Sequence, residues 1–237
     1  MDSVFDHAIR LGDDALILGQ RLSEWCGHAP MLEVDLALAN IALDLTGQAT
    51  LFLALAAEEE GRGRDADALA FRRDVLDFRN CLIVEQPNGD FAQTIARQFL
   101  FSNWQELLLA EIAEAPAPAL AAIAAKAVKE VRYHVRYASE WVVRLGDGTQ
   151  ESRGRMSDGL DWMWRFVEEL FDAVDGAASL RPAWEARIAA TLRAAGLERP
   201  RPMRPILGGR KGHHSEHLGH LLCEMQFLQR TYPGATW

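Results

Sequence analysis

Cysteine is scarce in this chain, and the few cysteines form no motif. The 237 residues include three, at Cys26, Cys81 and Cys223, with no C-x-x-C pair among them. Such spacing indicates neither a thiolate zinc site nor a disulfide framework, and buried free thiols account for it. Metal chemistry based on thiolates is therefore not expected.

Long apolar runs and excess positive charge are also missing. No segment reaches the roughly eighteen uninterrupted apolar residues of a membrane span, and the N-terminal MDSVFDHAIRLGDD lacks the regions of a signal peptide. Lys plus Arg number 25 against 34 for Asp plus Glu, a formal net charge of −9. We therefore expect a cytoplasmic protein whose main partner is neither nucleic acid nor a membrane.

Several catalytic motifs are absent as well. The chain has no G-x-S-x-G elbow, no G-x-x-x-x-G-K-[ST] loop and no G-x-G-x-x-G following a strand. These absences argue against nucleotide-binding and acyl-transfer enzymes.

Helix signals, by contrast, run through almost the whole chain. Ala and Leu dominate, no convincing alternating strand occurs, and Gly or Pro clusters separate the helical segments. The sequence predicts an all-α single domain over 1–237, with an antiparallel four-helix bundle at about 3–145 and additional C-terminal helices at 157–231. Residues 196–213 are predicted to be an irregular connection. The predicted helices are 3–25, 31–58, 90–114, 118–145, 157–174, 182–195 and 214–231.

Polar side chains interrupt the apolar stripes of three predicted helices. At about 100° per residue, Asp44 and Gln48 lie in the stripe of the second helix and Glu106 in that of the third. His134 lies inside the stripe of the fourth helix, with Glu130 at its edge. Buried carboxylates are costly unless they are paired or bind metal, so this pattern is typical of a ferritin-like di-iron bundle.

The ligand set of such a centre is nevertheless incomplete. A di-iron centre takes a Glu from each of two helices and Glu-x-x-His from each of the other two. In the second helix Gly47 stands three residues after Asp44, where a histidine is required, and in the fourth helix Val131 stands three residues before His134. Two interpretations remain open, a bound metal and a buried polar network with basic partners such as Arg97. The residues favour the second, so no metal, cofactor or catalytic residue is predicted.

Two segments are candidates for contact with another subunit. LDWMWRFVEELF at 160–171 is aromatic, and it either covers the bundle or meets a partner. GGRKGHHSEHLGH at 208–220 combines glycine, cations and histidines, which favours contact between subunits over a solvated surface, a metal site or a site for an anion such as a phosphate. The candidate contact residues are Trp162, Trp164, Arg210, Lys211, His213 and His217.

Five stretches also carry a family resemblance. They are LSEWCGHAPMLEVDLALANIALDLTGQA at 22–49, VEQPNGDFAQTIARQF at 84–99, AAIAAKAVKEVRYHVR at 121–136, GGRKGHHSEHLG at 208–219 and CEMQFLQR at 223–230. Together they resemble the C-subunit family of the multicomponent phenylacetyl-CoA epoxidase (1,2-phenylacetyl-CoA monooxygenase), over nearly the whole chain.

The resemblance implies a ferritin-like structural subunit of a soluble oxygenase in aerobic phenylacetate catabolism. In that family the C subunit lacks a working di-iron centre and pairs with a homologous catalytic A subunit, which holds the iron, in a complex that also contains a small B subunit. Two alternatives remain: an independent ferritin-like di-iron metalloprotein with an atypical ligand set, and a generic helical binding module.

Overall fold

The computed structural model describes residues 3–172 and 177–235, and within these ranges it contains helices and no β-strand. Short 3-10 turns occur at Val75–Asp77 and Gly209–Lys211. The α-helices in chain order are α1 Val4–Ser23, α2 Leu32–Glu60, α3 Ala66–Phe71, α4 Leu82–Glu85, α5 Phe91–Ile112, α6 Pro118–Gly146, α7 Gln150–Trp164, α8 Glu169–Asp172, α9 Ala177–Ala194, α10 Glu216–Met225 and α11 Phe227–Thr231.

The chain divides into two compact units. The first contains Met1–Pro87 together with Gly208–Trp237, and the second contains Asn88–Leu207. Each unit has one pair of long helices, α1 with α2 and α5 with α6, and smaller helices pack against each pair. The all-α class is confirmed, with the four long helices expected of a ferritin-like protein, while the single-domain organisation stays a prediction.

In the first unit, α1 and α2 form a closely packed antiparallel pair. Gly12 of α1 lies so close to Leu53 that a Cβ atom there would come within 2.7 Å of its side chain, and Gly19 lies against the Ala42 carbonyl. Small residues at these positions let the two backbones approach. Helix α1 starts at a capping box, in which Ser3 accepts from the Asp6 amide and Asp6 from the Ser3 amide.

In the second unit, α5 and α6 are antiparallel and α7 and α9 pack beside them. Phe91 near the start of α5 meets Trp141 near the end of α6 in a T-shaped contact with 5.0 Å between ring centroids. Further along, Glu106 of α5 faces Arg132 of α6. Gly159 of α7 lies against the backbone of Gln93, a contact that a larger side chain would push apart.

The predicted boundaries differ from the structure mainly in the short elements. Helices α3 and α4 were not predicted, because segments of six and four residues show too little periodicity. The helix predicted at 157–174 begins at Gln150, where Thr149 and Ser152 form a capping box, and ends at Trp164. The separate helix α8 follows at Glu169–Asp172, and residues 173 and 174 of the prediction lie outside the described ranges. Helix α9 starts before Pro182, which lies inside it rather than at its first turn.

Within the described residues, α2 alone has the length and apolar composition to cross a membrane. Core helices of soluble proteins meet the same criteria, and α2 packs along α1.

Candidate functional site

The polar residues predicted to line the bundle core differ in their burial. His134 and Gln48 are almost completely buried. Asp44, Glu106 and Glu130 are only half-buried, whereas the sequence analysis expected all three carboxylates to point inward. Glu130 lies about 80° from the centre of its stripe, which explains its partial exposure. Asp44 and Glu106 lie within their stripes, but neighbouring helices do not cover them completely.

Glu106 is neutralised by arginines of its own unit. Arg187 Nη1 donates to its Oε2 at 2.7 Å, and Arg132 Nε lies 3.5 Å from its Oε1. Arg97, suggested from the sequence as a neutralising cation, instead donates to Asn88 Oδ1. The charge of Glu106 is thus compensated without a metal.

The inward-facing registers of α2 and α6 carry few metal-binding groups. On α2, next to Asp44, Leu45 and Gln48 are buried at i, i+3 spacing, whereas Gly47 is exposed and its Cβ position has no neighbour within 4 Å. Gly47, where a histidine would be required three residues after Asp44, therefore lies on an exposed side of α2, and its assignment to that position stays a prediction. On α6 the corresponding buried pair is Val131 and His134. Of these four buried residues, only His134 has a side chain of the kind that holds iron in such bundles.

These residues do not fit a two-iron centre. Among residues 3–172 and 177–235, no group of three or more His, Cys, Asp or Glu side chains has a geometry that could hold a metal ion. Gln48 and Leu45 cannot replace a carboxylate and an imidazole, because iron in such sites is held by anionic oxygen and neutral imidazole nitrogen.

The first unit instead buries its acidic residues in ion pairs. Asp13 and Asp14 are consecutive residues of α1, and both are fully buried. Arg73 Nη1 donates to Asp13 Oδ2 at 3.0 Å, and a second, shorter contact joins Arg73 Nη2 to Oδ1. The amide of Arg79 also donates to Asp13 Oδ2, at 2.8 Å. The pair is bidentate, which is the stronger form of an arginine–carboxylate contact.

Asp14, near the N-terminus, forms an ion pair with a residue near the C-terminus, Arg210. Arg210 Nη2 donates to Asp14 Oδ2 at 2.6 Å, and the Cys81 amide donates to Oδ1 at 2.8 Å. Burial raises the pKa of the Asp14 carboxyl, while Arg210 and the Cys81 hydrogen bond act in the opposite direction. Removing Arg210 would leave burial as the dominant influence on this carboxyl.

Glu85 of α4 is the third buried carboxylate of this unit. His214 Nδ1 lies 2.8 Å from its Oε2, the Ser215 amide donates to Oε1 at 2.6 Å, and Asn80 Nδ2 donates to Oε2 at 2.9 Å. Arg21 of α1 donates to the Glu85 carbonyl through Nε and Nη2. The carboxylate therefore has several donors, as a buried charge requires.

These contacts bind residues 208–217, here called the C-terminal segment, to α1 and α4. Gly208 and Gly212 have φ values of 145° and 81°, a region that side chains disfavour. A Cβ atom on Gly209 would collide with the Asn80 carbonyl. Arg21 Nη2 also donates to the His217 carbonyl at 3.2 Å. The glycines thus let the segment approach α1 and α4 closely enough to form the buried pairs.

Arg210 was predicted to contact another subunit, and its buried position corrects that prediction. Contact with another subunit stays a prediction for the remaining five candidate residues. Arg210 is buried against Asp14 rather than presented to a partner. Lys211 and His213 are exposed, and His217 is half-buried. Trp162 is exposed, with Arg165 stacked 4.8 Å above its ring. Trp164 is half-buried against Trp184 and Arg199.

Sequence reasoning missed Asp13, Asp14 and Glu85 as buried charges. One signal was present, since the adjacent aspartates interrupt an otherwise apolar helical run, LGDDALILG. The partners gave no such signal, because Arg73 and Arg210 are 60 and 196 residues distant from theirs.

Comparison with known proteins shows the family to which the chain belongs. The family model described as "Phenylacetic acid catabolic protein" matches residues 1–237. The chain therefore belongs to this family of phenylacetate catabolism, and here it is an all-α member with two pairs of long helices.

A particular relative is similar over its whole length. The chain is 51% identical over 249 aligned residues, covering 100% of both proteins, to the C subunit of the 1,2-phenylacetyl-CoA epoxidase of Escherichia coli (strain K12). This confirms the resemblance identified from the sequence.

Proposed function

We propose that this chain is the non-catalytic structural subunit of a ring-1,2-phenylacetyl-CoA epoxidase, paired with the catalytic di-iron A subunit and also contacting the small B subunit. The observation that carries the proposal is the full-length similarity to the C subunit of such an epoxidase. Its family likewise acts in phenylacetate catabolism.

The donor set supports the non-catalytic role. Leu45, Gln48 and Val131 are buried on α2 and α6, and none of them supplies the carboxylate or imidazole that a di-iron bundle needs. Glu106 is already paired with Arg187 and Arg132. A chain with this donor set would leave iron binding and oxygen activation to the A subunit.

The buried ion pairs support a structural role. A rigid helical protein can stabilise a catalytic partner and shape its substrate channel without redox chemistry of its own. Two buried pairs, Asp14–Arg210 and Glu85–His214, join the N-terminal and C-terminal segments of the chain within the first unit. That rigidity suits a protein whose function is to present surfaces.

The test is iron content. The chain alone, and separately its complex with the A subunit, is incubated anaerobically with excess ferrous iron, desalted and analysed for iron. We expect near-zero iron in the isolated chain and about two irons per A subunit in the complex. About two irons per isolated chain, lost on Glu130→Ala or His134→Ala substitution, would replace the proposal by the independent metalloprotein. Arg155→Ala, at an exposed position of α7, is the matched control.

A further inference from the structure

The outer face of α2 exposes a row of large apolar side chains. Leu32, Leu36 and Leu43 are 70%, 56% and 69% exposed. At about 100° per residue they lie within about 40° of one another, so they form one stripe along the helix. Single exposed leucines are common, but an aligned row of them marks a contact surface.

Small residues continue this stripe toward the C-terminal half of α2. Gly47 and Ala54 are exposed on the same side, and nothing lies within 4 Å of the Cβ position of Gly47. Leu51, 37% exposed, borders them. A leucine row beside small residues is a shape that another helix can approach closely. We call Leu32, Leu36, Leu43, Gly47 and Ala54 the α2 stripe.

The charges around the α2 stripe indicate what kind of partner can bind to it. Glu33, Asp44 and Glu58 lie along one edge, and Asp35 lies toward the other. Helix α2 contains no Lys, Arg or His. A second copy docked by two-fold symmetry would place the same acidic edges against each other, which opposes self-association. A membrane surface is likewise disfavoured, since helices that lie on membranes usually carry Lys and Arg on their polar face.

We infer that the α2 stripe is the docking face for the catalytic A subunit of the epoxidase, which would present an apolar helix face edged by Lys or Arg. This inference rests on the proposed function, and it identifies the surface through which pairing occurs. Glycine at position 47 then has a reason, because a larger side chain there would hold the two helices apart.

The experiment measures the affinity of the folded full-length chain for the purified A subunit. Leu43→Glu places a charge at the centre of the stripe and is expected to weaken binding about 100-fold. Leu76→Glu is the matched control, because Leu76 belongs to the same unit, lies outside α2 and is 71% exposed. It should bind within about threefold of the unchanged chain, as substitutions outside a contact usually do.

Gly47→Leu is a second variant that does not depend on introducing charge. The Cβ position of residue 47 is exposed, with nothing within 4 Å, so the fold should be unaffected, and circular dichroism tests this. We expect about tenfold weaker binding from the lost close approach.

The outcomes separate this inference from the proposed function. If the unchanged chain binds and both Leu43→Glu and Gly47→Leu bind equally well, the docking face is wrong while the proposed function stands. If the unchanged chain shows no binding to the A subunit, the proposed pairing fails and the docking face with it. If sedimentation shows a homodimer that Leu43→Glu dissociates, the occupant is a second copy and the inference is overturned.

Discussion

Helices α1 and α5 both bury many polar side chains, but they satisfy them in different ways. The aspartates of α1 pair with Arg73 and Arg210, which are distant in sequence. On α5, Ser102 Oγ donates to the Gln98 carbonyl at 2.6 Å and Asn103 Nδ2 to the Phe99 carbonyl at 2.9 Å, both one turn earlier in the same helix.

The aspartates of α1 are stabilised by tertiary contacts, whereas Ser102 and Asn103 are stabilised by local contacts within their own helix. Removing a distant partner of α1 leaves a buried charge uncompensated, which costs far more than the net value of the pair. A side chain of α5 that bonds its own helix can be removed with little effect on the rest of the fold. The comparison therefore predicts a strong dependence of the first unit on its C-terminal segment.

The largest effect is expected for Arg210→Ala. It leaves Asp14 buried without its cation, and we expect the free energy of unfolding to fall by about 3–5 kcal/mol in chemical denaturation at neutral pH. Lys211→Ala, at the exposed neighbouring position, should change it by less than about 0.5 kcal/mol. Equal effects of the two substitutions would contradict the buried pair.

The cost of Arg210→Ala should also depend on pH. Without Arg210, burial raises the pKa of Asp14 further above its ordinary value of 3.8. The folded variant then binds a proton more tightly than the unfolded chain, so its stability is retained below that value and lost as pH rises above it. Denaturation at pH 5 and pH 8 should show a smaller cost of the substitution at the lower pH.

Glu85→Gln tests the other attachment of the C-terminal segment. The amide has one acceptor oxygen where the carboxylate has two, so one of the donors His214, Ser215 N–H or Asn80 loses its partner. We expect a loss of about 1–3 kcal/mol in the free energy of unfolding. Glu58→Gln, at an exposed position of α2, is the control and should be close to neutral.

Ser102→Ala tests the α5 side of the comparison. Because its hydroxyl bonds a carbonyl of the same helix, and alanine favours helix, we expect a change below about 1 kcal/mol in either direction. Thermal and urea denaturation both measure it. A loss of more than about 2 kcal/mol would indicate a tertiary role and weaken the contrast with α1.

The smallest expected effect on stability comes from the ionisation of Tyr137 of α6, and it appears only at alkaline pH. Burial raises the pKa of Tyr137 from 10.0 to about 12. The folded state therefore keeps this proton longer than the unfolded chain, and the contribution of Tyr137 to stability falls as pH rises through this range. Absorbance at alkaline pH should show a tyrosine ionisation at about pH 12, a step absent in Tyr137→Phe. Tyr232→Phe, at an exposed position, should retain that step.

Periodicity and helix breakers were enough to predict the four long helices. Pro118 was expected at the start of α6 and is its first residue, and Gly61 ends α2 in a left-handed conformation. These signals are local, so they can be found without the fold. The capping box at Thr149 was equally local and was overlooked.

The candidate site was less predictable. Helical phase identified His134 and Gln48 as buried, but it also placed Glu106 inside a core that Glu106 only borders. Phase gives the direction of a side chain to within a few tens of degrees, and it does not show how far a neighbouring helix covers the edge of a stripe. Covering depends on packing, which periodicity alone does not contain.

The amino-acid sequence by itself determined the all-α class, the long helices, the missing Glu-x-x-His pairs and the family, because each depends on residue type at short spacing or on overall similarity. Only the tertiary structure decided which acids are buried, that Arg210 belongs to the interior, and that Gly47 faces outward. The physical reason is that a buried charge needs a partner within hydrogen-bond distance. That partner can lie 196 residues away, as Arg210 does from Asp14.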